Sequence, residues 1–249
     1  MAGHSKFKNI MHRKGAQDAK RAKKFTKLIR EITTATKLGQ PDPEFNPRLR
    51  AAIATARAEN LPKDRIDNAI KKAASSQDGE NFEEVRYECY AFGGAALIID
   101  GLTDNRNRTV SDVKAMINKS GATVAEPGSV VFMFDRVGVI AYNKPEIKED
   151  EMLELAIEAG ASECESEGGM HEIYTSPDDF NEVRNFLEQK IGEASEMRLG
   201  WKPKNIILID DVEVAEKILA LVENLEDNDD VQYVTGNYQF SEKVISKIS

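Results

Sequence analysis

Residues 87–102 read YECYAFGGAALIIDGL. Tyr87 to Tyr90 mix aromatic and polar positions, and Ala95 to Ile99 form an unbroken apolar run ending in β-branched residues. Gly93-Gly94 lies between them, so the stretch predicts two strands joined by a turn. Before it the apolar period is three to four residues. After it short strands alternate with helices. These sixteen residues therefore mark the change from an all-α module to α/β architecture.

Working toward the N-terminus, residues 17–38 predict a helix with Ala22, Phe25, Ile29, Ile32 and Thr36 as one stripe. Lys20, Lys23, Lys24, Lys27 and Arg30 fall on the opposite face. Gly39 ends that helix ahead of the turn GQPDPEFNP. Asn46 then caps a second helix with Pro47 at its first position, and Leu49, Ala52, Ile53 and Ala56 form its stripe. A third helix starts near Pro62, with Ile66, Ala69, Ile70 and Ala73 inward. SSQDGEN closes the module as a linker, and residues 1–16 read as a flexible basic arm.

Working toward the C-terminus, residues 109–119 predict a helix, with Thr109 and Asp112 placed like a capping box. Val130 to Phe134 predicts a strand. From 137 onward comes a strand (VGVIAYN), a helix (147–159), a hairpin around Gly168-Gly169, a helix (177–190) and a strand (194–199). That order is βαββαβ, the ferredoxin-like arrangement. A helix over 212–225 and a strand or hairpin over 230–240 follow. The piece before Asp135 lacks a second helix and a closing strand, and the piece after Lys204 supplies both. The expected fold is α+β: an N-terminal three-helix domain followed by two ferredoxin-like α/β domains, one inserted in the other. The expected domains are 1–78, 79–135 plus 204–249, and 136–203.

The chain has 249 residues and a formal net charge of -9, but the charge is divided. Residues 1–75 hold 18 Lys and Arg against 7 Asp and Glu, a surplus of 11. Residues 76–249 hold 16 against 36, a deficit of 20. Such asymmetry predicts a basic module for polyanions joined to acidic modules. No apolar run reaches the ~20 residues of a membrane helix, and the charged start is no secretion signal, so a cytoplasmic protein is expected. Cys89 and Cys164 lack metal or redox spacing and read as buried thiols. Phosphate loops, dinucleotide fingerprints and HExxH are absent. His171 falls in a predicted strand and reads as structural, and SECESEGG reads as a solvated edge. No catalytic residue, metal site, cofactor or small-molecule substrate is expected, and the chain does not read as an enzyme.

Two features carry binding chemistry. Lys6, Lys8, Arg13 and Lys14 of the arm join the helical Lys20, Lys23, Lys24, Lys27 and Arg30 as phosphate partners. His4, Asn9 and His12 add donors for phosphate, sugar or base edges. Phe7 is either a stacking partner or an anchor for the arm. The second feature is LTDNRNRTVSDV, where Asn105, Arg106, Asn107 and Arg108 lie between a strand end and a helix start, a natural anion position.

At these residues the chain closely resembles the YebC/PmpR family. The resemblance rests on MAGHSKFKNIMHRKGAQDAKRAKKFTKLIREI, NPRLRAAI, LPKDRIDNAIKKA, LTDNRNRT and GSVVFMFDR. It is dense over residues 1–136 and weak over 140–205. Phe7 departs from it, since the family usually has Trp there. The resemblance implies three domains and a cytoplasmic, DNA-binding transcriptional regulator. Mitochondrial relatives look like translational activators, and bacterial relatives are linked to ribosomes stalled on proline-rich sequences. A ribosome-associated translation factor contacting rRNA and tRNA is thus the alternative. A protein-binding adaptor built on the acidic domains is a further one. The residues themselves lean toward RNA, because no base-reading helix or dimerisation heptad is evident.

Overall fold

The computed structural model describes residues 17–75 and 81–248. The chain divides into two compact units, residues 1–79 with 136–200 and residues 80–135 with 201–249.

The first unit begins with α1 (Gln17–Leu38), α2 (Pro47–Ala58) and α3 (Lys63–Ser75). Ile32, Ala35, Leu49, Ala52, Ile53, Ala56, Leu61, Ile66 and Ala69 form their shared core, with Phe25, Leu28 and Ile29 packed against it. Ala22, expected in the stripe, is exposed. Asn46 does the joining. Its Oδ1 accepts from Leu49 N at 3.0 Å, the expected cap, while Nδ2 donates to the carbonyls of Ala35 and Gln40 at 2.7 and 2.8 Å. One amide thus ties the end of α1 to the start of α2.

The rest of this unit is most of β4 (Phe134–Asn143), α5 (Glu149–Glu158), β5 (Glu163–Glu167), β6 (Met170–Thr175), α6 (Phe180–Ile191) and β7 (Glu196–Pro203) up to Gly200, so that the first residues of β4 and the last of β7, Trp201 among them, belong to the second unit. Its sheet order is β5-β6-β4-β7, the ferredoxin-like order expected from the sequence. α2 has a second buried face. Ala51 and Ala54 share a core with Ile140, Tyr142, Met152, Phe180, Val183 and Leu187, so the helix is packed on two sides. Alanine suits this role because its small side chain lets backbones approach closely.

The second unit holds β1 (Glu83–Tyr90), β2 (Ala96–Thr103), α4 (Arg106–Ser120), β3 (Thr123–Val124), β8 (Ile207–Ile209), α7 (Val212–Glu226), β9 (Val231–Gly236), β10 (Tyr238–Phe240) and α8 (Glu242–Ile248). β1 and β2 form the hairpin read from residues 87–102, joined by a 3-10 turn, Phe92–Gly94. Gly93 sits there at φ 65, and a Cβ would meet Ile209 and Val214 side chains at 2.9 Å. The antiparallel sheet runs β3-β1-β2-β9. Its last strand comes from the far side of the insertion. α4 packs on α7. Trp201 Nε1 donates to Asp100 Oδ2 at 2.9 Å, and the Arg86 guanidinium lies 4.4 Å from its ring centre.

Several boundaries differ from the sequence reading. Residues 131–133 are a 3-10 turn, not a strand, and the strand runs from Phe134. The cause is Glu88, 6% exposed, whose carboxylate takes the N–H groups of Gly128, Val130 and Val131 at 2.7, 2.6 and 3.0 Å. Donors turned onto one carboxylate cannot serve a sheet ladder. Residues 231–240 are two strands in different sheets, because β10 pairs in parallel with β8 while β9 closes on β2. Asn237 makes the switch, accepting from Ala96 N at 2.7 Å through Oδ1. β3, β8 and α8 had no counterpart in the sequence reading. Most of the expected linker, residues 76–80, lies outside the described residues.

Candidate nucleic-acid interface

Two clusters of expected site residues are described, one in each unit. In α1, the apolar side packs into the three-helix core, which turns its basic side outward. Lys24 is exposed and pairs with Glu59 at 2.6 Å. Lys23, Lys27 and Arg30 are half-buried. Arg21 is exposed, with its guanidinium 5.2 Å from the Phe25 ring centre. Phe25 is itself packed against the core, so it is a structural residue. The surface pair adds little stability, since exposed ion pairs contribute about 0–1 kcal/mol. A phosphate can therefore compete for Lys24 at small cost. The expected contacts His4, Lys6, Phe7, Lys8, Asn9, His12, Arg13 and Lys14 lie outside the described residues, as does the side chain of Lys20.

In the second unit, Asn105 to Arg108 differ from the expected loop. The helix begins three residues early, at Arg106, and Asn105 is its cap, accepting from Arg108 N at 3.0 Å. Thr109, expected to cap, turns inward instead. It is fully buried, and its hydroxyl lies 2.6 Å from Asp230 Oδ2 and 2.7 Å from Thr103 Oγ1. Arg106 and Asn107 project from the first turn, which carries no acidic residue. The positive end of the helix dipole and the Arg106 guanidinium therefore act in the same direction on an anion. Arg106 is 67% exposed and stands 3.5 Å from Glu83, which is 62% exposed, a weak and displaceable pair.

Arg108 is different. Its Nη2 donates to Asp104 Oδ1 and Asp230 Oδ2, both at 2.7 Å, and these bonds raise its already high pKa. The Asp230 side chain is only 5% exposed. Arg108 thus has a structural task in holding the start of α4 to a buried carboxylate. Nothing local marks Asp230 in the sequence. It ends the run EDNDD, which reads as solvated, and its partners lie more than a hundred residues earlier.

Among the described residues, the histidine and both cysteines are packed in or against cores. His171 is fully buried, with Nδ1 2.7 Å from Ser166 Oγ and Nε2 3.2 Å from the Lys144 carbonyl. Burial pushes the Cys89 thiol up to about 12, and burial also raises Cys164. Neither thiol is a ready nucleophile at neutral pH. Among the described residues, no group of three or more His, Cys, Asp or Glu could hold a metal ion. Among them also, no helix is long and apolar enough to cross a membrane. Both α1 and the first turn of α4 present basic side chains at the surface.

Comparison with known proteins agrees along nearly the whole chain. Residues 5–76 match the family model described as the TACO1/YebC protein N-terminal domain. Residues 82–238 match the one described as the TACO1/YebC second and third domain, whose short name is that of a transcription regulator. Among solved structures, a conserved hypothetical protein, Aq1575 from Aquifex aeolicus, is 45% identical with a TM-score of 0.86. The match covers 92% of this chain and 94% of that one.

Proposed function

The chain belongs to the TACO1/YebC family, and from that premise we propose that it is a nucleic-acid-binding regulator of gene expression, not an enzyme. The observation that carries this reading is the division of charge. A surplus of 11 positive charges is confined to residues 1–75, against a deficit of 20 elsewhere. In this reading the arm and the basic side of α1 neutralise successive phosphates. Arg106 and Asn107 at the start of α4 make a second phosphate contact. The acidic remainder repels nucleic acid and restricts contact to those surfaces. The protein works in the cytoplasm, without a cofactor.

The same residues favour structured RNA, including ribosomal RNA, over a duplex operator. Sequence-specific duplex readers hold several side chains rigidly against base edges. Here α1 offers lysines and arginines, which supply charge and little code, and its other side is committed to the core. This observation favours the translational form of regulation over the transcriptional one.

Binding of the full chain to random duplex DNA, a candidate promoter, structured RNA and ribosomal particles at fixed ionic strength tests the proposal. RNA or ribosomes are expected to bind most tightly. With about five phosphates neutralised, log K against log[salt] is expected to slope near about −4.5 on duplex DNA. A slope near zero would refute the polyanion reading. A promoter preferred over random DNA by roughly 10³, with no ribosome retention, would restore the operator reading.

A further inference from the structure

The sheet of the first unit ends at β5, and among the described residues no strand pairs with its outer edge. β5 joins β6 through Gly168-Gly169, at φ 59 and 84, and Glu167 stands opposite Met170. In a hairpin with such a turn the flanking pair exchanges hydrogen bonds, and the pattern then alternates along the strand. The backbone groups of Glu165 and Glu167 thus serve β6, while those of Cys164 and Ser166 point to the open edge. Side chains alternate between the two faces. Cys164 packs against the core under the helices, so Glu163, Glu165 and Glu167 stand on the opposite face.

α5 lies on β5 and leaves part of its apolar stripe uncovered. Met152 and Ala156 are buried beneath it, and Glu158 pairs with Lys190 of α6 at 3.6 Å. At about 100° per residue, Leu153 and Ile157 come round on the far side of that buried stripe from Glu158, hence away from α6. That side overhangs the open edge of β5. The helix end and the strand start are pinned together, since Ala161 N donates to the Ala156 carbonyl at 2.9 Å and Ser162 N to the Tyr174 carbonyl of β6 at 2.8 Å. Leu153 is 45% exposed and Ile157 67%, one helical turn apart. A single exposed aliphatic residue is ordinary, but a pair beside an unpaired strand edge offers a partner both packing and hydrogen bonds.

Charge selects the occupant. Glu149, Asp150 and Glu154 are exposed around the apolar pair, and the glutamates of β5 line the other face. A second copy of β5 would set carboxylate against carboxylate, which destabilises a strand pair. A strand alternating apolar and basic residues meets both faces. We propose that the open edge of β5 binds such a segment of a partner protein as an added strand. Its backbone pairs with Cys164 and Ser166, its apolar side chains pack against Leu153 and Ile157, and its lysines or arginines lie opposite Glu163, Glu165 and Glu167. The site lies outside the surfaces assigned to nucleic acid and does not rest on that assignment.

The test is a short fluorescent peptide alternating Lys and Val, added to the full chain at fixed ionic strength and followed by anisotropy. Saturable binding is expected, and a peptide of the same composition with Lys and Val in separate blocks should bind far more weakly. Equal binding of the two would reduce the contact to charge attraction and overturn the proposal, as would no binding. Methylating one alternate set of peptide amides should abolish binding and methylating the other should spare it. Equal effects of the two sets would overturn strand addition. Leu153→Asn combined with Ile157→Asn is expected to weaken binding by about tenfold or more. Glu165→Lys combined with Glu167→Lys should lose this peptide and gain one alternating Glu and Val. Unchanged binding in both variants would place the peptide elsewhere and refute the site. If either variant fails to fold, the methylated peptides decide on the parent protein. Self-association that the peptide dissolves would make a second copy the occupant, and tighter peptide binding after removal of residues 1–16 would make the arm the occupant. Either result overturns the proposal.

Discussion

Glu88 and Arg184 are both buried charges, and they are treated in opposite ways. Glu88, in the second unit, has three backbone N–H groups aimed at its carboxylate. It replaces water with fixed donors and so shapes the segment that supplies them. Arg184, on α6 of the first unit and 1% exposed, has Nη2 matched by Asn185 Oδ1, while Nε and Nη1 meet no hydrogen-bond partner among the described residues. A buried charge that is fully paired within the chain belongs to the architecture. One that is left short is a cost that packing around it must offset.

The largest expected effect breaks the paired member. Glu88→Ala strands the buried N–H of Val130 and two part-buried ones, of Gly128 and Val131, so the second unit is expected to lose about 2 kcal/mol. Trp201 is the sole tryptophan and lies in that unit, so its fluorescence reports the loss during denaturant unfolding. An unchanged Trp201 midpoint would show that the three bonds are replaceable. A smaller effect of opposite sign is expected at the unpaired member. Arg184→Met should hold stability or raise it by about 1 kcal/mol, since apolar replacement of buried charged groups is often neutral or favourable. A clear loss would mean that Arg184 is already satisfied. The smallest effect sharpens the contrast at the surface. Arg106→Ala should leave stability within about 0.5 kcal/mol and lower the salt slope of nucleic-acid binding by about one. An unchanged slope would remove Arg106 from the interface.

Much of the fold was legible because local and global signals agreed. Asn46-Pro47 announced the start of α2, Gly168-Gly169 announced a hairpin, and alternating strands and helices over 137–199 announced the ferredoxin order. The misreadings share a physical cause: partners distant in sequence. Thr109 looked like a cap because Asp230, which turns it inward, lies 121 residues away. Val130 to Phe134 looked like a strand because nothing local says that Glu88 will claim its N–H groups. Ala51 and Ala54 fell outside the expected stripe because alanine suits an exposed or a buried face equally. The β8–β10 pair is too short, at three residues each, to leave a pattern. Of the candidate site, the charge could be counted directly. The commitment of Arg108 could not, because it depends on the distant Asp230. The orphaned atoms of Arg184 could not either, because the unpaired state is a property of the packed core.

The interleaved order of the two units also bears on how the chain is made. The free edge of β2 is closed by β9, and residues 104–230 must be synthesised between them. At ordinary translation rates that interval is on the order of ten seconds. The second face of α2 likewise waits for β4 and α6 to leave the ribosome. Vectorial folding therefore finishes the first unit before the second, although the second starts earlier than the inserted segment. A nascent chain from which Pro203 has left the ribosome and Val231 has not would carry a folded first unit and an unpaired edge on β2, the kind of edge that recruits other strands into aggregates.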